Sequence, residues 1–126
     1  MNNTASIVMS LYNNSYNNGI ELFFDNNKIG WIEYCKKDSN RIGGLFVNEM
    51  HRNNGHGSLL LREYEKIAKS LGHDNIQVTS SQSAINFYRK NGFISISEFN
   101  KQYRSGLNWF ICKTKILYGT NMIKNI

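Results

Sequence analysis

The chain has 126 residues, of which 40% are hydrophobic and 19% charged, a mix that fits one globular domain with its own core. No apolar run is long enough to cross a bilayer as a helix, so no membrane partner is expected. The net charge of +6 is scattered and contains no long basic run, which favours small anionic partners over a nucleic-acid footprint.

From the start of the chain, "SIVMSLY" (Ser6 to Tyr12) is rich in β-formers and reads as a strand. "NNSYNNG" follows as a turn. "IELFFD" (Ile20 to Asp25) and "KIGWIEYC" (Lys28 to Cys35) flank an Asn-Asn pair and read as a hairpin. "RIGGLFV" (Arg41 to Val47) is a fourth strand, where Gly43 and Gly44 point to a bulge or a close backbone approach. Leu60, Leu61, Tyr64, Ile67, Ala68 and Leu71 then recur at helical spacing, with Gly72 placed to stop the helix. "NIQVTS" (Asn75 to Ser80) reads as a short buried strand. "SQSAINFYRKNG" (Ser81 to Gly92) reads as a second helix, with Ser81 or Ser83 as its N-cap. "FISISEF" (Phe93 to Phe99) alternates like a strand, "GLNWFICKTKIL" (Gly106 to Leu117) reads as a long last strand, and "YGTNMIKNI" reads as a loose tail. The class is α/β: a mixed, mostly antiparallel sheet of about seven strands with two main helices.

The N-terminal stretch has no basic n-region and no cleavage pattern, which points to a cytoplasmic protein. Cys35 and Cys112 are far apart and form no CxxC, so two reduced thiols are expected. His51, His56 and His73 lack metal-ligand spacing, and no metal is expected.

The segment Arg52-Asn53-Asn54-Gly55-His56-Gly57 precedes the first helix. A helix mouth offers unpaired N–H groups and partial positive charge. Glycines there can adopt positive φ and admit a bulky anion. It is neither a Walker loop, since no GK[ST] follows, nor a dinucleotide fingerprint, since a third glycine is missing. On spacing alone, a phosphate cradle and a plain glycine-rich turn are equally served.

A second segment decides between them. Ala84, Phe87, Tyr88, Gly92 and Phe93 match an AxxFYxxxGF-like pattern, and Arg52 to Gly57 matches [R/Q]xxGx[G/A]. Together, in this order, they resemble the GNAT-type N-acetyltransferases, over about Arg41 to Phe99. The resemblance implies acetyl-CoA as donor cosubstrate. It assigns the pyrophosphate to Arg52, Asn53, Asn54, Gly55, His56, Gly57 and Ser58. It assigns the pantetheine arm to the main chain of Leu45, Phe46 and Val47, and a further contact to Ser81, where the family often has asparagine. Tyr88 takes the position that serves the departing sulfur.

A base for the acceptor is less legible. The fourth strand, where some family members carry a glutamate, has no carboxylate. Glu33 on the third strand is a substitute, Glu49 just past the fourth is another, and proton loss through water competes with both. Family members also carry one or two helices between the first two strands. Here only "NNSYNNG" stands there, so an open acceptor side is expected. The leading reading is transfer of acetyl to an amine, on a small molecule or a protein, in a ternary complex. A non-catalytic acyl-CoA-binding domain and a basic nucleic-acid-binding module are the alternatives, and a homodimer is compatible with all three.

Overall fold

A computed structural model describes residues 6–103 and 119–126. Among these residues are seven strands and three α-helices, the mixed α/β class expected. The chain divides into two compact units, Met1–Gly72 and His73–Ile126.

The first unit is an antiparallel meander of β1 (Ile7–Asn13), β2 (Asn17–Phe24), β3 (Asn27–Cys35) and β4 (Arg41–Val47), followed by α1 (His56–Ser70). Asparagine chemistry makes the first turn. The Asn14 side-chain oxygen accepts from the N–H of Tyr16 and Asn17 at 3.0 and 2.8 Å, and the Asn14 N–H donates to the Asn17 carbonyl at 2.9 Å. No helix stands between β1 and β2, and the turn is only Asn14 to Tyr16, shorter than the seven residues expected, because Asn13 and Asn17 to Gly19 belong to the strands. The β2–β3 turn holds Asp25 and Asn26 at φ 49° and 65°, the left-handed pair that matches strand twist. In β4, Gly44 lies opposite Glu33 and Ile42 opposite Tyr34. Gly43 is therefore the extra residue of a bulge, the feature the glycine pair suggested.

One face of the meander packs on α1. Ile20, Leu22, Ile32 and Ile42 are buried with Leu60, Leu61, Tyr64 and Ala68. The Tyr34 and Tyr64 rings lie 5.0 Å apart, and the Tyr64 hydroxyl donates to the Ser39 carbonyl at 2.7 Å. The apolar stripe of α1 is narrower than its sequence period implies. Ile67 is half-buried, and Leu71 is 55% exposed because it is already the C-cap. Gly72, at φ 89°, ends the helix as expected.

The second unit holds β5 (Asn75–Ser80), α2 (Ile85–Lys90), β6 (Ile94–Ser95), α3 (Ile96–Tyr103) and β7 (Thr120–Asn125). β7 runs antiparallel to both β5 and β6. Three expectations need correction. The second helix opens with a 3-10 turn at Gln82–Ala84, so α2 begins only at Ile85. The strand expected over Phe93 to Phe99 stops at Ser95 and becomes α3. The Glu98 N–H donates to the Ser95 hydroxyl at 3.2 Å, which is the N-capping half of an S-x-x-E box, and this outweighs the alternating pattern. Glu98 also pairs with Arg89 of α2 at 2.8 Å. The supposed tail contains β7, with Met122 and Ile123 at 0% and 2% exposure. Pairing with β5, some 50 residues earlier, makes this strand, and no local signal announces it. The strand expected over Gly106 to Leu117 lies outside the described residues.

Candidate active site

The first unit holds the segment expected to receive an anion, Arg52 to Ser58. β4 ends at Val47, and a 3-10 turn, Glu49–His51, carries the chain toward α1. Asn53 takes φ 64° and Gly55 φ 81°, so two left-handed residues turn the chain into the helix. Gly57 lies inside the first turn of α1. The expectation that both glycines supply positive φ therefore holds for Gly55 alone. The left-handed Asn53 was missed, although asparagine tolerates that region better than most residues.

Gly55 is the N-cap of α1, with no side-chain cap, and the first turn contains no acidic residue. The N–H groups of His56, Gly57 and Ser58 thus have no helical acceptor, and no acid of the first turn offsets the positive end of the helix dipole. Arg52, Asn53, Asn54 and Gly55 are exposed, and Gly57 and Ser58 half-buried. His56 differs from its neighbours. It is buried at 9% exposure, with its ring 6.3 Å from that of His51. Its backbone stays at the helix mouth while its side chain packs inward. The Arg52 Nε donates to the Val47 carbonyl at 2.9 Å, and its guanidinium lies 5.8 Å from the centre of the Phe46 ring. A fixed positive charge therefore stands where β4 ends and α1 opens. Leu45 and Val47 are half-buried and Phe46 is exposed.

The sheet face opposite α1 carries a second group of residues. Tyr12, Gly19, Glu33 and Gly44 form one cross-strand row over β1 to β4. The Tyr12 hydroxyl donates to Glu33 Oε1 at 2.8 Å, and Asn17 Nδ2 donates to Oε2 at 3.3 Å. A side chain at Gly19 would overlap the Tyr12 ring, and a Cβ at Gly44 would lie 2.8 Å from the Trp31 ring. The two glycines leave room for the Tyr12 and Trp31 rings on this face. Trp31 also stacks on Phe46 at 6.1 Å. Burial first, then the hydrogen bond and charge of Glu33, push the Tyr12 phenol well above its ordinary range. It remains a protonated donor. Sequence reading found Glu33 but missed Tyr12, Asn17 and Trp31. Gly19 and Gly44, one on each strand flanking Glu33, were the available signal. Glu49 is exposed on the 3-10 turn and belongs to neither group.

In the second unit, Tyr88 of α2 is 5% exposed, with Phe87 and Phe93 edge-on at 5.1 and 5.2 Å. Burial pushes its pKa up to about 12. No hydrogen bond to its hydroxyl occurs among the described residues. Ser81 precedes the 3-10 turn without capping it, and its hydroxyl lies 3.3 Å from that of Ser83. The expected cap by Ser81 or Ser83 is not met: Ser81 makes no side-chain cap hydrogen bond, and Ser83 lies inside the 3-10 turn.

Comparison with known proteins bears on the family and the fold. The sequence model of the acetyltransferase (GNAT) domain matches residues 5–114. No curated protein matches the sequence. Among solved structures, a GCN5-related N-acetyltransferase from Rhodopseudomonas palustris is similar, at TM-score 0.66 and 18% identity over 87% of this chain and 62% of that one. The PaiA N-acetyltransferase from Thermoplasma acidophilum, in complex with coenzyme A, gives 0.65 and 22% over 86% and 60%. A streptothricin acetyltransferase homologue from Bacillus anthracis, in complex with acetyl coenzyme A, gives 0.65 and 17% over 97% and 84%. The chain thus spans about three fifths of the length of the first two. Among the described residues no helix is long and apolar enough to cross a membrane. With the family match covering most of its length, on a fold shared with these structures, the chain belongs to the GNAT acetyltransferase family.

Proposed function

We propose that the protein transfers an acetyl group from acetyl-CoA to an amine by direct attack in a ternary complex. The observation that carries this reading is the mouth of α1: a glycine N-cap, no acid in the first turn, and Arg52 tied to the end of β4. A diphosphate satisfies those N–H groups and that charge at once. The solved complexes with coenzyme A and acetyl coenzyme A on this fold support the same donor.

The donor supplies a thioester whose carbonyl an amine can attack. In this reading, Arg52 to Ser58 hold the pyrophosphate, the main chain of Leu45, Phe46 and Val47 lies along the pantetheine arm, and Ser81 adds a polar contact. Glu33 receives the proton that the attacking nitrogen must lose, with Tyr12 and Asn17 fixing its two oxygens. As the new C–N bond forms and the C–S bond breaks, Tyr88 donates a hydrogen bond to the departing sulfur. A phenol with its pKa raised is suited to that task, because it stays protonated at any working pH. The lack of a helix between β1 and β2 suits acceptors of varied size near Glu33.

Calorimetry with CoA and a thiol-release assay with an amine panel test this. Binding plus amine-dependent CoA release supports the transferase. Binding without release from any amine would leave an acyl-CoA-binding domain. Absence of CoA binding would overturn the site itself.

A further inference from the structure

Among the described residues, β1 pairs with β2 alone. The Ser6 carbonyl accepts from the Asp25 N–H at 3.1 Å, and the Asn14 N–H donates to the Asn17 carbonyl at 2.9 Å. Even-numbered residues therefore turn their backbone groups toward β2, and Ile7, Met9, Leu11 and Asn13 turn theirs outward. A row of unpaired backbone donors and acceptors is a template for another strand. Natural sheets protect such edges with charge, proline, bulges or brevity. β1 has seven residues in unbroken register, and the sequence has no proline.

Charge is the telling feature. No charged side chain occurs before Glu21, although the chain as a whole carries +6. Two copies of a cationic protein repel over most approaches, and β1 brings no charged side chain of its own to such an approach. The side chains agree. Ile7 and Leu11 are 47% and 73% exposed on the face toward α1, and Val8 is 51% exposed on the other. Met9 and Leu11 line an apolar groove of about 330 Å³ with Ile20 and Ile67, rimmed by Glu63 and Lys66.

We propose that the protein forms a two-fold dimer by antiparallel β1–β1 pairing centred on Ser10. This register places the outward groups of Ile7 and Asn13, and of Met9 and Leu11, in hydrogen-bonded pairs between copies. It uses all seven residues of the strand. Ser10 faces Ser10 of the second copy, and Val8 faces Tyr12. Met9 of each copy meets Leu11 of the other over the groove, so the apolar strip on the α1 side becomes continuous across the two-fold axis.

Sedimentation velocity over the micromolar range tests the association, and the expected mass rises toward twice 14.6 kDa. Leu11→Lys, at an exposed position, raises the dissociation constant about tenfold or more by putting two charges at the seam. Met9→Pro removes an outward N–H without costing a β1–β2 hydrogen bond, and weakens the dimer too. Ser10→Cys provides a readout that does not depend on either. In a non-hydrogen-bonded antiparallel pair the Cα atoms are about 4.5 Å apart, within disulfide range. Mild oxidation then gives a covalent dimer bridged at that position by peptide mapping, whereas Val8→Cys, which faces Tyr12, does not bridge to itself. A wild-type protein that stays monomeric overturns the proposal. So does a dimer that Leu11→Lys and Met9→Pro leave intact and Ser10→Cys fails to trap.

Discussion

The Tyr12 hydroxyl reaches Glu33 at 2.8 Å across an intervening strand, because the residue between them in the row is Gly19. Any side chain at Gly19 would take the place of the Tyr12 ring. The pair therefore depends on a third residue that contributes no atoms to it. If Glu33 accepts the acceptor's proton, Glu33→Gln lowers turnover by roughly tenfold to a thousandfold. Tyr12→Phe and Gly19→Ala lower it less, by releasing one oxygen of the carboxylate. Acetyl-CoA affinity stays constant in all three. Steady-state rates over a pH series are the measurement, and an unchanged rate and pH profile in Glu33→Gln assign the proton to water.

The cradle is tested by two glycines that differ in role. Gly57→Glu places an anion in the first turn of α1 and abolishes CoA binding, while the fold survives. Gly55→Ala meets open space but forces an L-residue to φ 81°, and costs about 1–2 kcal/mol of stability. Calorimetry with CoA and chemical denaturation separate the two effects. A folded Gly57→Glu protein with wild-type affinity removes the pyrophosphate from the helix mouth.

Tyr88→Phe keeps the packing against Phe87 and Phe93 and removes only the hydroxyl. Turnover falls by roughly tenfold to a thousandfold, with little change in acetyl-CoA affinity. The melting temperature stays near wild type, since no described residue loses a hydrogen bond. Lost stability with normal turnover is the opposite pattern, and it makes Tyr88 a core residue only.

Alkaline pH provides a prediction about stability. Tyr34, Tyr64 and Tyr88 all have pKa values raised by burial. A raised value means that the native state holds its proton where the unfolded chain has released it. The contribution is complete below the unfolded value of ~10 and is lost as pH rises through the folded one. For Tyr88, with its pKa up at about 12, the loss amounts to roughly 3 kcal/mol at most. Unfolding free energy should thus drop above pH ~10, and Tyr88→Phe should flatten part of that drop. A wild-type protein equally stable at pH ~9 and pH ~12 contradicts these burials.

What the sequence revealed follows a physical division. The hairpins, the bulge at Gly43 and the mouth of α1 are local, set by glycine, asparagine and helical period within a few residues. The family motifs are local too, so Gly55 and Tyr88 could be singled out early. The errors fall where remote or competing interactions win. Ser95 caps a helix that alternation disguised as a strand, and Met122 and Ile123 become core only by pairing with β5. The row from Tyr12 to Gly44 is invisible until register aligns four strands. Glu33 could be picked out from its residue type, but its partners could not.

The pairing of β7 between β5 and β6 also bears on synthesis. The pairings among β1, β2, β3 and β4 all join residues before Gly72, so that meander can form on the ribosome as soon as it emerges. In the second unit, Asn75 pairs with Asn125 and Ser80 with Thr120, and Ile94 waits for Ile123. Until Thr120–Asn125 has been made, β5 and β6 have no β7 to separate and pair with them. The nascent chain thus carries a finished meander ahead of two strands that still lack β7, and premature termination before Thr120 exposes Ile76 and Val78 to aggregation.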